Sequence, residues 1–164
     1  MFGRLFGKEK MKPKYLQAFM DMTERFAQTS EATRLKVGAC IIKNGNPIAF
    51  GVNGTLPGWE SNTCESISGE TLPDVVLHAE INALNKLRKI SENSKDATLL
   101  VTHSPCLRCA HEIVDSGIKH VYYKHQYRSS DGIEHLLKHG IIVEQMPEMG
   151  YEILHQGARV RCIR

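Results

Sequence analysis

The first pattern in the chain is an apolar stripe near the N-terminus. Four large apolar residues after Pro13 recur at positions i, i+4, i+7 and i+11: Tyr15, Phe19, Met22 and Phe26. This spacing places them on one face of a helix, and proline suits the first turn of a helix. We therefore predict a first helix that begins at Pro13, ends near Ser30 and packs this stripe into the core.

Two short apolar runs follow, at residues 37–43 and 47–53. They are joined by Asn44-Gly45-Asn46, and an Asn-Gly pair between such runs favours a β-hairpin. The sheet should therefore open with an antiparallel pair of strands. The next stretch, residues 54–73, is polar and has no helical or strand periodicity, and loops of this length are usually functional or disordered.

Helix and strand patterns alternate from residue 78 to residue 144. In order, they are a helix from His78 to about Ile90 (with Leu77, Ile81, Leu84 and Ile90 near one face), a strand at 97–102, a helix opened by Ser104 and Pro105 and closed by Gly117, a strand at 121–124, a helix at 132–139 stopped by Gly140, and a strand at 141–144. Ser104 is the predicted N-cap of the third helix. Such alternation implies right-handed crossovers and parallel strands. We predict an α/β fold, a single-domain α/β/α sandwich with a five-stranded mixed sheet and helices on both faces.

Composition and charge are those of an ordinary globular protein. The chain has 164 residues, of which 41% are hydrophobic and 24% charged, so one domain can bury a substantial core. A formal net charge of +3 fits an anionic ligand but not the dense basic patch of a nucleic-acid binder. We predict a domain at residues 13–147 between a flexible N-terminus at 1–12 and a C-terminal tail at 148–164. The arginines of that tail, Arg159, Arg161 and Arg164, are interpreted as a solvated end and not as an RNA-binding arm.

The candidate chemistry lies in two short motifs, His78-Ala79-Glu80 and Pro105-Cys106-Leu107-Arg108-Cys109. One imidazole and two thiolates supply three ligands for a tetrahedral Zn²⁺ and leave the fourth position open, as in catalytic sites. Water in that position has its pKa lowered to about 7, and Glu80 is placed to carry protons to a substrate nitrogen. The Cys-x-x-Cys alone could be a redox pair or half of a closed structural zinc site. The two motifs together, in this order, are typical of zinc-dependent base deaminases.

The other three cysteines, Cys40, Cys64 and Cys162, are odd in number and irregularly spaced. They argue against a disulfide framework, which favours the cytoplasm, that of a host if the protein is viral. The basic N-terminus lacks the apolar segment of a signal peptide, and no stretch reaches the roughly 20 apolar residues of a membrane span. We interpret Cys64 as an inert thiol, with a ligand role at a second metal ion as the alternative.

Beyond these motifs, the chain resembles the deoxycytidylate (dCMP) deaminases, including those of bacteriophages. The matching pieces, between about residues 13 and 147, are Ser30 with Arg34, Val37-Gly38-Ala39, Gly51-Val52-Asn53-Gly54-Thr55, Gly58-Trp59, His78-Ala79-Glu80-Ile81-Asn82-Ala83, Ser104-Pro105-Cys106 through Ala110, and Ser116-Gly117-Ile118-Lys119. The resemblance implies the cytidine deaminase-like fold and hydrolytic deamination of dCMP to dUMP and ammonia, which supplies dUMP for thymidylate synthesis. It also implies one catalytic Zn²⁺ per chain and a homo-hexamer regulated by dCTP and dTTP, with Mg²⁺ accompanying these effectors.

The resemblance also implies residue roles. Glu80 becomes the catalytic proton carrier to N3 of cytosine and to the leaving ammonia, beside the zinc ligands His78, Cys106 and Cys109. The implied substrate-binding residues are Asn53, Ala79, Ser104, Tyr127, Arg128 and Lys89. The implied effector-binding residues are Asn53, Gly54 and Arg34. Arg88 and Lys124 are further candidates for the phosphate, among which the sequence does not choose, and Asn53 could instead be a turn asparagine before Gly54.

Two positions depart from the family pattern. Val52 stands where the family usually has a tyrosine in a loop tied to effector binding, and Ala32 stands where it usually has a cysteine. Loss of the aromatic ring and its hydroxyl predicts a response to dCTP weaker than the family norm. Ala32 touches only packing or a neighbouring site.

Two other functions stay open at this point. The chain could be another zinc deaminase, acting on a free base, a nucleoside or tRNA adenosine, because the zinc chemistry is shared and only the pocket wall differs. It could also be a catalytically silent deaminase fold that binds nucleic acid. Glu80 argues against the second, since a binding module has no use for a proton carrier.

Overall fold

The computed structural model describes residues 11–146, which form a five-stranded sheet covered by helices and a separate two-stranded sheet. The helices are α1 (Pro13–Ala27), α2 (Ala79–Lys89), α3 (Leu107–Asp115) and α4 (Asp131–Lys138). The strands are β1 (Gly38–Lys43), β2 (Asn46–Val52), β3 (Gly54–Thr55), β4 (Val76–Leu77), β5 (Thr98–His103), β6 (His120–His125) and β7 (Ile142–Gln145). The large sheet has the order β2-β1-β5-β6-β7, with β1 antiparallel to β2 and β5, and β6 parallel to β5 and β7. The predicted mixed α/β fold is confirmed.

Two apolar layers separate the helices from the large sheet, because successive side chains of a strand point to opposite faces. In β1, Ala39 and Ile41 belong to the layer shared with α2, α3 and α4, whereas Cys40 and Ile42 lie in the layer shared with α1. In β5, Leu99 and Leu100 divide in the same way. One face of the sheet is therefore covered by α1 and the other by the three helices that follow.

The hairpin predicted from the Asn-Gly pair is confirmed. Lys43 of β1 pairs with Asn46 of β2, so the loop between the strands contains only Asn44 and Gly45. Their φ angles are 51° and 78°, and a type I′ turn requires positive φ at both central residues. Glycine adopts this conformation without strain and asparagine does so more readily than most residues.

The prediction that the apolar stripe of α1 packs into the core is wrong. Tyr15 is 52% exposed and Met22 is 48% exposed, and of the stripe Phe19 packs against a buried cluster. The buried residues of α1 are Gln17, Met20, Thr23 and Ala27. The cause is the close approach of helix and sheet, since a Cβ atom added to Gly38 would lie 2.5 Å from the carbonyl oxygen of Thr23. Small side chains allow that approach, and the bulky ones remain on the other face of α1.

The prediction that Ser104 caps the third helix is also wrong. The helix begins at Leu107, and Cys106 occupies the N-cap position. Ser104 makes other contacts: its N–H donates to the carbonyl of His125 at 2.8 Å, and its hydroxyl accepts the N–H of Tyr127 at 2.7 Å. It therefore ties the end of β5 to the segment that follows β6.

The polar stretch at 54–73 contains more regular structure than its sequence suggests. β3 pairs with β4, and Glu65 forms an isolated bridge with Thr71. Ile90, which was predicted near the apolar face of the second helix, is 61% exposed at its C-terminal cap. The predicted tail at 148–164 and its arginines lie outside the described residues. Within residues 11–146, no helix combines the length and apolar character that crossing a membrane requires.

Candidate active site

The N-terminal ends of α2 and α3 bring the three predicted metal ligands together. His78 is the N-cap of α2, Cys106 is the N-cap of α3, and Cys109 lies in the first turn of α3. His78 Nδ1 is 3.5 Å from Cys106 Sγ and 3.3 Å from Cys109 Sγ. Typical zinc–sulfur and zinc–nitrogen bonds, of about 2.3 and 2.0 Å, subtend about 3.5 Å between sulfur and nitrogen at a tetrahedral angle. The donor atoms and their spacing therefore fit a zinc ion, with Nδ1 as the imidazole ligand.

Hydrogen bonds inside this cluster set the protonation of its sulfur atoms. Bonds from Cys109 and His78 lower the pKa of Cys106 to about 4, against the opposing effect of burial. The bond to Cys106, together with burial, raises the pKa of the Cys109 thiol. The hydrogen bond to Cys106 likewise raises the pKa of His78. The cluster thus carries a thiolate at neutral pH, and the positive end of the α3 dipole favours that charge.

Glu80 is the second residue of α2, and it is 4% exposed. Burial raises the pKa of its carboxyl group, while the helix backbone and His78 act in the opposite direction. Glu80 lines the same pocket as His78 and Cys106. The structure therefore brings the predicted proton carrier beside the predicted ligands, in a site where proton transfer can be controlled.

The pocket around this cluster has a volume of about 360 Å³, which lies within the range of small-molecule sites. The predicted substrate and effector residues in its lining are Asn53, Ala79, Ser104, Tyr127, Arg128 and Arg34. Two predicted residues, Gly54 and Lys89, are not in the lining. Lys89 ends α2, ten residues beyond Ala79, or about 15 Å along the helix. The structure therefore does not place Lys89 where it could hold the phosphate.

Two further candidates for the phosphate contact acidic or amide side chains elsewhere. Arg88 donates to Asn85 Oδ1 at 2.7 Å and lies 3.4 Å from a carboxylate oxygen of Glu112. Lys124 contacts both carboxylate oxygens of Glu24 at 2.7 Å. Arg128 differs, because its guanidinium lies 5.4 Å from the centre of the Tyr127 ring and both residues line the pocket. Of the four basic candidates, the structure places Arg128 at the pocket.

Asn53 anchors the loop before β1 as well as lining the pocket. Its Oδ1 accepts the N–H of Val37 at 2.8 Å and the hydroxyl of Ser30 at 2.9 Å, and its Nδ2 donates to the carbonyl of Leu35 at 2.7 Å. Asn53 is not among the described residues with positive φ, so a left-handed turn does not explain it. An amide nitrogen has two N–H groups, which leaves one for a ligand.

Two pocket residues, His103 and Glu65, were missed by the sequence reasoning. His103 ends β5, its ring centre is 5.1 Å from that of His125, and burial and this neighbour lower its pKa. Its place at a strand end beside Ser104 was the available signal. Glu65 Oε1 accepts the N–H groups of Thr33 and Arg34 at 3.0 and 3.1 Å, and so fixes the loop that carries Arg34. Glu65 gave no signal, because it lies in a stretch without periodicity.

Two glycines let neighbouring backbone approach the site closely. A Cβ atom on Gly51 would clash with the carbonyl oxygen of Ala79, in the first turn of α2. A Cβ atom on Gly132 of α4 would clash with the carbonyl oxygen of Pro105 and lie 2.9 Å from the carbonyl carbon of Cys106. β2 thus supports the start of α2, and α4 supports the segment that carries the first cysteine.

Comparison with known proteins connects this site to a family. The family described as "Cytidine and deoxycytidylate deaminase zinc-binding region" matches residues 13–125. The crystal structure of dCMP deaminase from the cyanophage S-TIM5, in complex with dCMP and dUMP, is 47% identical, covers 84% of this chain and 100% of its own, and superposes with a TM-score of 0.81.

Curated relatives give a similar result. The Mycobacterium phage D29 deoxycytidylate deaminase is 33% identical over 124 residues, which cover 68% of this chain and 95% of that protein. The Bacillus subtilis ComE operon protein 2 is 34% identical over 134 residues, which cover 79% of this chain and 70% of that protein. The chain spans less than half the length of the two yeast deoxycytidylate deaminases that it also matches. The family match runs from the start of α1 to the end of β6, across both helix starts that carry the ligand set, and the chain therefore belongs to the cytidine and deoxycytidylate deaminase family.

Proposed function

We propose that this protein hydrolyses dCMP to dUMP and ammonia. The observation that carries the proposal is a single pocket that contains a histidine–cysteine ligand set, a buried glutamate and two arginines. The first two provide for base deamination, and the arginines provide for an anionic substrate. The cyanophage dCMP deaminase solved with dCMP and dUMP supports the same substrate and product for this chain.

The metal would be held by His78, Cys106 and Cys109, whose spacing fits zinc. When bound with three protein ligands, zinc supplies an activated water at neutral pH. We place Glu80 as the catalytic residue that handles the protons. It accepts a proton from the attacking water, delivers it to N3 of the cytosine ring, and protonates the amino group as the bond to C4 breaks. Its buried position keeps bulk water from competing for those transfers.

Arg128 and Arg34 are the basic side chains that we assign to the 5′-phosphate. Both line the pocket, and a guanidinium can contact two phosphate oxygens at once. Tyr127 positions Arg128, since Arg128 Nη2 donates to the Tyr127 hydroxyl at 3.2 Å. Asn53 contributes its remaining N–H to the nucleoside. A remote dianion held in this way supplies binding energy that can position C4 for reaction.

The deciding experiment measures ammonia release from dCMP, CMP, deoxycytidine and cytidine in parallel. We expect kcat/KM for dCMP to exceed that for deoxycytidine by at least about 10³, which corresponds to about 4 kcal/mol of transition-state stabilisation. Equal values for nucleotide and nucleoside would refute the assignment of the phosphate and favour a nucleoside deaminase. Zinc retention without turnover of any of the four would favour the binding-module alternative.

Assembly and regulation stay predictions that rest on the family resemblance. We propose a homo-hexamer with a response to dCTP and dTTP in the presence of Mg²⁺ that is weaker than the family norm. Val52 is not in the pocket lining, so its effect should fall on effector affinity and leave dCMP turnover unchanged. Losing a contact of about 1–3 kcal/mol would be comparable to a typical allosteric coupling energy. Titrations of dCMP with and without dCTP test this, and a strongly sigmoidal curve made hyperbolic by micromolar dCTP would contradict it.

A further inference from the structure

Three histidines form a second cluster of nitrogen ligands, on the surface shared by α3 and α4. His111 belongs to α3, His135 belongs to α4, and His139 is the C-cap of α4. The ring centre of His135 lies 4.0 Å from that of His111 and 4.3 Å from that of His139. His135 and His139 are four residues apart, which places both side chains on one face of the helix. The cluster therefore joins two helices through imidazoles alone.

The ring nitrogens of the cluster are available in the neutral form that metal ions need. His139 Nδ1 lies 2.8 Å from the backbone carbonyl of His135. A carbonyl only accepts, so Nδ1 carries the proton and Nε2 presents its lone pair. A ring N–H bound to a backbone carbonyl is also the usual support of a metal-ligating histidine. Burial and the neighbouring His111 and His139 lower the pKa of His135, against the opposing effect of Asp115.

We propose that His111, His135 and His139 form a second metal site, which binds a late first-row divalent ion such as Zn²⁺, Ni²⁺ or Cu²⁺. Imidazole nitrogen suits these ions, whereas Mg²⁺ and Ca²⁺ prefer oxygen. Two histidines at i and i+4 on one helix are an established zinc-binding arrangement. Here the third ligand comes from a neighbouring helix, so the ion would clamp α4 to α3.

Side-chain rotation completes this site. Within residues 11–146, the group of three whose ligand atoms all lie within 4.8 Å of one another is His78, Cys106 and Cys109. The surface histidines thus need new rotamers to direct three nitrogens at one ion. His111 and His139 are both exposed, which leaves them room to rotate around the half-buried His135.

The test is equilibrium dialysis of the zinc-loaded protein against Zn²⁺, and separately against Ni²⁺ and Mg²⁺, followed by elemental analysis. We expect one additional equivalent of Zn²⁺ or Ni²⁺ per chain at about 10 µM free metal, which corresponds to a dissociation constant of that order, and none with Mg²⁺. His135→Ala and His139→Ala should each weaken the additional binding by at least tenfold. His120→Ala is the matched control, because His120 lies outside the cluster on β6.

Two further readouts separate this site from others. Cys64→Ser should retain the additional equivalent, whereas its loss would move the site to the loop thiol and overturn the assignment. The additional ion should raise the melting temperature of the wild-type protein, and not that of His135→Ala, because a ligand that binds only the folded state stabilises it. Failure to bind a second equivalent, or unchanged binding in His135→Ala, would refute the proposal. These measurements do not depend on dCMP turnover, so they stand apart from the proposed reaction.

Discussion

Replacing Gly132 by alanine tests whether α4 sets the position of the first cysteine ligand. A Cβ atom at this position would clash with the Pro105 carbonyl oxygen and lie 2.9 Å from the carbonyl carbons of both Pro105 and Cys106. Ordinary carbon contacts begin near 3.5 Å, and the atoms in the way belong to backbone. The intrinsic preference for alanine over glycine inside a helix is about 0.5–1 kcal/mol. Overpacking of a well-packed site costs about 1–3 kcal/mol, and with a backbone obstacle we expect the upper part of that range to win.

The expected result for Gly132→Ala is therefore a net loss of about 1–2 kcal/mol in the free energy of unfolding. For a chain of this size, that loss corresponds to a fall in melting temperature of roughly 2–8 °C. Zinc content should fall with it, because either α4 or the segment carrying Cys106 must move. Gly54→Ala is the matched control, since a Cβ atom there meets nothing within 4 Å. Thermal unfolding and elemental analysis of both variants decide the matter, and a Gly132→Ala protein with wild-type stability and full zinc would show that α4 does not position the ligand.

Three other predictions concern the chemistry of the pocket. Joint replacement of Cys106 and Cys109 by alanine should abolish tight zinc binding, and undiminished zinc in elemental analysis would disprove the ligand assignment. Glu80→Gln should fold and keep zinc but lose turnover by about 10²–10⁴-fold, as expected for a general acid–base group, so that activity within tenfold of wild type would assign the proton transfers to another group. Arg128→Ala should narrow the ratio of kcat/KM between dCMP and deoxycytidine, whereas Lys89→Ala, outside the pocket lining, should leave it unchanged. The reverse pattern would return the phosphate to the end of α2.

The reactive centre could be predicted from sequence because its residues lie close together along the chain. His78 and Glu80 are separated by one residue, and Cys106 and Cys109 by two. Each motif also stands at a helix start, so local patterns fix where its side chains lie. The hairpin was predictable for the same reason, since the Asn44-Gly45 pair determines the turn by its own conformational preferences.

The misjudged features depend on distances between elements. Which face of α1 is buried is decided by Gly38 and Thr23, which let helix and strand approach, and this contact cannot be read from the spacing of apolar residues. The phosphate candidates failed similarly: Arg88 and Lys89 are close to the motif in sequence, but helix length carries them away from the pocket. Glu65 reaches the pocket through a loop whose path leaves no periodic signal. In each case tertiary geometry outweighed local pattern.

The positions of His78 and Cys106 have a consequence for the stability of the helices they begin. Both residues occupy N-cap positions, and neither side chain makes a capping hydrogen bond. Serine, threonine or aspartate at such a position typically stabilises a helix by about 1 kcal/mol relative to an uncapped start. The deaminase site thus forgoes about 2 kcal/mol of helix capping in exchange for ligands held at two fixed points. Metal binding offsets that loss, so the ion acts as a shared cap for two helices and couples the integrity of their first turns to the capacity for catalysis.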